Sequence, residues 1–382
     1  MAAAGTGEGA HYTEARLSSL VASQDLEAWN VFARDVLEEV APSEASAAAV
    51  ACALHQLRVA ARTNLAFAID AGKALLAAAA HRGAGWGAVL FDVREAVAEW
   101  CVRAGDEAQA QELWRAMLPA ETGTVTLRLL TNFLNSAIRT RSYAVAETEC
   151  LRGLSTYKAL SMRPEANNEV NNFLLAFASL LAARRRFVEA AQRFYELYLR
   201  TKVLSHLREA IVCVIQADAS AARSRLLKTL YKDESAVLLG ELHTILSRAC
   251  HTHLLRPSEL QRFLPYVEPS ADASAAVERA FIQHNLQAIS RVYYNIGFTE
   301  LGALLGITAS EAERLVAQMV SERRLDASLD QTTDTVFFSR SDNASSLEAW
   351  DAKITSVCEE LACVADLIVR QHAEFNEYLL LK

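Results

Sequence analysis

Cys250, His251 and His253 put three metal-ligand side chains into four consecutive residues, and chemistry is looked for there first. A thiolate and two imidazoles suit zinc, which takes four such ligands in a structural site and three in a catalytic one. No further carboxylate or thiol falls at a usable spacing around Cys250-His251-Thr252-His253, so the run reads as a solvent-facing or capping histidine pair at a helix end. The remaining cysteines, at 52, 101, 150, 213, 358 and 363, make no CxxC pair and no regular framework. They read as reduced thiols packed as small apolar groups in helices. His81-Arg82-Gly83-Ala84-Gly85-Trp86-Gly87 is glycine-rich like a phosphate loop, yet no Lys-Ser/Thr follows it and no strand precedes it. It reads as an inter-helix turn. The sequence therefore implies no metal, no cofactor and no catalytic residue.

The elements around these residues are helical. In 382 residues there are 6 prolines and 14 glycines, with alanine and leucine abundant, which favours long helices and two or three structural units. Met1 to Ala10 has neither the positive start nor the apolar stretch of a signal peptide. Phe173 to Ala183 is among the longest apolar runs and is about half of what a membrane span needs. A soluble intracellular protein is expected.

From Val277 to Phe338 the order of elements is that of a winged helix. Phe281, Leu286, Ile289 and Tyr293 lie on one stripe of a first helix. Phe298 to Leu305 forms a second, stopped by Gly306. Thr308 caps a third and Glu311 completes a capping box, with Leu315, Val316, Met319 and Val320 as the buried stripe. Leu325 to Leu329 and Thr335 to Phe338 are two strands joined by a polar loop, Asp330 to Asp334. A DNA-reading third helix needs a basic patch, but Glu311, Glu313 and Glu322 offset Arg314, Arg323 and Arg324. With a formal charge of −8 over the chain, nucleic acid is disfavoured as a partner.

The rest of the chain divides into an N-terminal helical region (1–90), helical repeats (91–256), a linker (257–276), the winged helix (277–340) and a C-terminal helix (346–382). Leu26, Trp29, Phe32, Val36 and Val40 mark an early helix ended by Pro42. Segments beginning at Gly105, Ser142 and Arg186 each follow an apolar helix and a short polar turn, then open a second helix with small residues. Their spacing, about 36 and then about 44 residues, is that of stacked, TPR-like helix pairs. Pro257, Pro265 and Pro269 mark the linker. The fold class is mostly α: a repeat solenoid, a winged helix with a small β-hairpin, and a long C-terminal helix.

Four blocks carry a more specific signal: Arg185 to Leu197, Ala222 to Glu234, His284-Asn285-Leu286 and Phe298 to Leu305. Together with the turn Leu118 to Gly123, they resemble the subunit 4 family of the COP9 signalosome. The N-terminal third is similar only in its helical character. The resemblance implies a PCI domain, in which a helical-repeat arm joins a winged helix. It also implies membership of a complex that removes the ubiquitin-like modifier Nedd8 from cullin-RING ligases, in the cytoplasm and nucleus. The family's zinc isopeptidase belongs to another subunit with an MPN domain. That motif needs a serine and an aspartate after His-x-His, where this sequence has Gln261 and Leu264. This chain is thus expected to be a non-catalytic scaffold among other PCI and MPN subunits, with a cullin-RING ligase as substrate of the complex and no nucleic acid or membrane.

The resemblance assigns two binding surfaces. Wing edges of neighbouring subunits pair, which points to the backbone of Asp326, Ala327, Ser328 and Leu329 or of Thr335, Val336, Phe337 and Phe338. Leu347, Trp350, Ile354, Val357, Leu361, Val364 and Ile368 then follow a 3-4 spacing, a coiled-coil seam suited to a bundle shared among subunits or to packing on the chain's own winged helix. Where the family has glycine after the third winged helix, this sequence has Arg323, so that helix is expected to end differently. Two other readings stand beside the scaffold: the related subunit of the proteasome lid, and a nucleic-acid-binding winged-helix regulator.

Overall fold

The computed structural model describes residues 14–37, 44–79, 86–118, 123–161, 163, 166–267, 271–339 and 343–371. Pro42, Val40, the His81–Gly85 part of the glycine-rich turn, Pro119 to Thr122 and the chain beyond Gln371 lie outside the described residues. The chain forms two compact units, Met1–Cys213 and Val214–Lys382.

The first unit is a stack of helix pairs. Leu26–Val36 packs on Leu65–Ala79, which packs on Phe91–Ala104, and Thr124–Arg139 packs on Asn167–Ala183. Glu107–Met117, Tyr143–Leu160 and Phe187–Thr201 are the second helices of the last three pairs. The repetition read from sequence is built into the turns. Each first helix closes in a Schellman motif, with the left-handed residue at Gly105 (φ 89°), Arg141 (φ 58°) or Arg185 (φ 60°). The next N–H reaches back to the carbonyl of Cys101 (2.9 Å), Ala137 (3.0 Å) or Leu181 (2.9 Å). Five residues past each left-handed residue stands an alanine, Ala110, Ala146 or Ala190, with 0% exposure. A methyl group there lets the paired helices approach at the short end of the interaxial range, near 8 Å.

The second unit begins with Ala221–Tyr231, a 3-10 turn at Glu234–Leu239, Glu241–Cys250 and Pro257–Phe263. The stretch 257–276, expected as a linker, is largely helical. Pro257 occupies the first turn of its helix, where its fixed φ favours the helix and no N–H is missed, and Pro265 does the same in the 3-10 turn Leu264–Tyr266. The alanine-rich residues after Ser270 open the helix Ala271–Ile289, ahead of the expected Val277. The compact units divide at Cys213/Val214, within the stretch 91–256 expected to hold the repeats, so the helices from Ala221 to Phe263 fall in the second unit.

The winged helix follows: Ala271–Ile289, β1 (Asn295–Gly297), Phe298–Leu305, Ala309–Ser321, β2 (Ala327–Asp330) and β3 (Thr335–Phe338). The first helix ends at Ile289, short of Tyr293, which is 41% exposed and not part of the buried stripe. The capping box forms: Glu311 N–H donates to Thr308 Oγ1 (3.3 Å) and Thr308 N–H to Glu311 Oε2 (3.0 Å). Leu286, Ile289, Phe298, Leu301, Val316 and Met319 make the core with Ile296, Val336 and Phe338 from the sheet. Burial of each large apolar side chain contributes roughly 1.5–3 kcal/mol. β1 had no signal in the sequence because three residues are too few to show an alternation.

Candidate assembly surfaces

The three strands are antiparallel in the order β1-β3-β2. This corrects the expectation for Thr335, Val336, Phe337 and Phe338. β3 is the central strand, paired on both sides, and cannot template an incoming strand. Val336 (0% exposed) and Phe338 are core, while Phe337 alternates outward at 42%. The open edges are β2 and β1. Phe338 N–H donates to Tyr294 O (2.8 Å) and Ser339 N–H to Asp326 O (2.9 Å), which fixes the ladder's phase. By antiparallel geometry Ser328 turns its backbone groups toward β3, and Ala327 and Leu329 turn theirs away from it. The edge is therefore carried by Ala327 and Leu329. Asp326 and Ser328 are exposed, and Leu329 is half-buried against the core.

Asn343–Gln371 is one helix, and every described side chain from Trp350 to Val364 is exposed. Of the seam, Trp350 is 64% exposed and Leu361 63%, with Ile354, Val357, Val364 and Ile368 similarly open. The side chain of Leu347 lies outside the described residues. Among the described residues, the seam does not pack on the winged helix of its own chain. Cys358 and Cys363 sit exposed on this helix, unlike Cys101, Cys150 and Cys213, which are buried. Burial pushes the Cys150 and Cys213 thiols up to about 12, so they are inert.

The histidine run closes a helix. His251 caps Glu241–Cys250, and its Nδ1–H donates to Ser247 O (2.7 Å). Its ring lies edge-on to Tyr231, and His253 is exposed beside it. Among the described residues no group of three or more His, Cys, Asp or Glu is arranged to hold a metal ion.

The His284-Asn285 pair, quoted above only for its resemblance, is a structural clasp. Asn285 Nδ2–H donates to Leu255 O (2.9 Å) and its Oδ1 accepts from Leu255 N–H (2.8 Å). His284 is buried, and its Nε2 lies 3.0 Å from His253 O, which can only accept. The proton is thus on Nε2, and Nδ1 accepts from Arg223 Nη1 at 3.3 Å. Burial, then the Arg223 charge, pulls the imidazole down to about 4. Arg223, also buried, donates to the carbonyls of Val214 (3.0 Å) and Ile215 (3.4 Å) in the last turn of Leu204–Gln216, where a cation is favoured. Burial lowers its pKa to about 10, so it stays charged.

The third winged helix ends in the left-handed conformation despite its arginine. Arg323 has φ 54°, and Arg324 N–H donates to Met319 O (2.8 Å), completing a Schellman motif. The helix thus ends as a glycine would end it, and the expectation of a different junction is not met.

This arrangement of a helical stack, a three-helix winged module and a three-stranded wing agrees with a family match over residues 261–340. The family matched there is the PCI domain. The chain is 36% identical over 223 residues to COP9 signalosome complex subunit 4 of Drosophila melanogaster, covering 55% of this chain and 54% of that one. It is 37% identical over 206 residues to the same-named protein of Caenorhabditis elegans, covering 52% and 49%. It is 33% identical over 228 residues to that of Arabidopsis thaliana, covering 55% and 57%. The resemblance to signalosome subunit 4 holds, and the matches span about half the length of these curated relatives.

Proposed function

We propose that this chain is a non-catalytic scaffold subunit of a COP9 signalosome. In this reading the PCI domain and the C-terminal helix integrate it among PCI and MPN subunits, and the solenoid reaches toward the cullin-RING ligase from which the complex removes Nedd8. The observation that carries the reading is the exposed seam on Asn343–Gln371, following a PCI domain similar to signalosome subunits. An apolar stripe that long and uncovered is an aggregation hazard unless other helices cover it. Its composition bears on how many. Parallel two-stranded coils favour β-branched residues at a and leucine at d, whereas here Leu347, Ile354, Leu361 and Ile368 alternate at a, and Trp350, Val357 and Val364 stand at d. β-Branched residues at d suit a bundle of more than two helices. The β2 edge is the second contact, through the outward backbone of Ala327 and Leu329.

Co-expression with the other subunits tests this. Deleting Ser346 to Lys382 removes the chain from the complex while the solenoid stays folded, and recovery of the truncated chain at full yield overturns the seam assignment. Ala327→Pro deletes an outward N–H without touching the β2–β3 ladder and weakens assembly without unfolding the wing. Isolation with proteasome ATPases in place of cullins would favour the proteasome-lid reading.

A further inference from the structure

The charges beside the seam of Asn343–Gln371 match a second copy of the same helix in one orientation and one register. We infer that the unassembled chain pairs with itself there, as an antiparallel two-helix contact. The inference rests on the exposed seam alone and not on which complex the chain joins.

With Ile354 and Leu361 at a and Val357 and Val364 at d, the flanking positions are e, holding Asp351 and Cys358, and g, holding Lys353 and Glu360. All four side chains are exposed. Charges that stabilise their own helix find an opposite charge three or four residues away. At those distances Lys353 has Ala349, Trp350, Ser356 and Val357, and Glu360 has Ser356, Val357, Cys363 and Val364. Neither is served by its own helix, and among the described residues neither is in an ion pair. Charges at e and g are the ones that set partner and orientation when two helices pair.

The orientation follows from which charges would meet. In a parallel pair each g position faces the partner's next e position, which sets Lys353 against the partner's Cys358 and Glu360 against the partner's Ala365. No charge meets its opposite. In an antiparallel pair a packs on d, g flanks g and e flanks e. Shifting by a heptad then changes which charges meet. One register sets Lys353 against the partner's Lys353 and Asp351 against the partner's Asp351, and another sets Glu360 against the partner's Glu360. The register between them sets Lys353 against the partner's Glu360 and, by two-fold symmetry, Glu360 against the partner's Lys353. Like charges cost about what opposite charges gain, so only this register is favoured. It packs Ile354 on the partner's Val357 and Trp350 on the partner's Leu361, and it brings Asn343 level with the partner's Ile368. The stripe is thus covered along nearly all of the helix, which ends at Gln371. Each layer joins an a residue to a d residue, so the preference of parallel pairs for leucine at d does not bear on it. The contact is isologous and closes at two copies, which keeps an open apolar stripe from growing into an aggregate. Other helices must undo the pair before they can take the seam.

Sedimentation equilibrium on the isolated full chain tests the pairing. The mass is that of two chains at high concentration and falls to that of one on dilution. Ile354→Asp gives a single chain at every concentration. Lys353→Glu sets like charges against each other twice and weakens the pairing about tenfold or more, and Glu360→Lys does the same. Combining Lys353→Glu with Glu360→Lys restores the wild-type dissociation constant, as a g-to-g contact between antiparallel helices requires. Circular dichroism matching the wild type confirms that each variant is folded. A wild-type chain that stays single or assembles beyond two copies overturns the inference, and so does an unchanged dissociation constant in Lys353→Glu or a double variant no tighter than the single ones. A chain that stays single yet is recovered with the other subunits on co-expression overturns the pairing and leaves the scaffold reading standing. A chain that pairs as described and is not recovered with them does the reverse.

Discussion

The helices Ala309–Ser321 and Asn343–Gln371 carry apolar stripes of the same periodicity and meet opposite fates. In the first, Ala312, Val316 and Met319 are enclosed by the strands and by the other two helices of the wing. In the second, Trp350, Ile354, Val357 and Leu361 face solvent along several turns. A 3.6-residue period tells where a helix hides its apolar side and leaves open what it hides it against. The covered stripe holds up the domain, and the uncovered one is available to partners.

The largest effect that can break this comparison is a charge placed on each stripe. Val316→Asp buries an unpaired carboxylate and should destabilise the second unit by more than about 4 kcal/mol in denaturant unfolding. Ile354→Asp should leave the unfolding of the isolated chain unchanged to within about 0.5 kcal/mol, yet prevent recovery with the other subunits. If both substitutions destabilise alike, the seam is covered within the chain after all.

A second, smaller effect sharpens the contrast through pH. The His284 imidazole is held neutral by burial and by Arg223, with its pKa lowered from 6.5 to about 4. Between those values the unfolded chain binds the proton that the folded chain refuses, so stability rises with pH across the window. The contribution is complete above about pH 6.5 and is lost progressively as pH falls toward 4, by on the order of 3 kcal/mol. Denaturation midpoints measured through that range should show the loss, and His284→Gln, which keeps a donor for His253 O, should flatten it. The exposed C-terminal helix should show no matching dependence.

The smallest effect concerns how the covered helix ends. Arg323→Gly relieves a left-handed arginine within an intact Schellman motif and should raise stability by roughly 0.5–1 kcal/mol, read as a higher unfolding midpoint. A fall would show that the arginine side chain contributes more than its backbone loses.

Much of this was legible in the residues. The capping box at Thr308 and Glu311, the stop at Gly306 and the repeating turns before Asp106, Ser142 and Arg186 are local devices, so local sequence reveals them. The failures were of two kinds. Prolines at 257 and 265 suggest breaks because proline interrupts a helix interior, whereas at a helix start, where both stand, it is favourable. β1 was invisible because its strand character comes from pairing with β3, forty residues away, and from no pattern of its own.

By itself the sequence determined the helical architecture, the places where helices begin and turn, and the existence of a long apolar seam. These follow from backbone propensity, capping and periodicity, which act over a few residues. Only the tertiary structure decided that β3 is central and β2 an edge, that His284 is a neutral buried clasp, and that the seam from Trp350 to Ile368 stays uncovered. Pairing, desolvation and burial depend on groups distant in the chain, and no local pattern encodes which of them arrive.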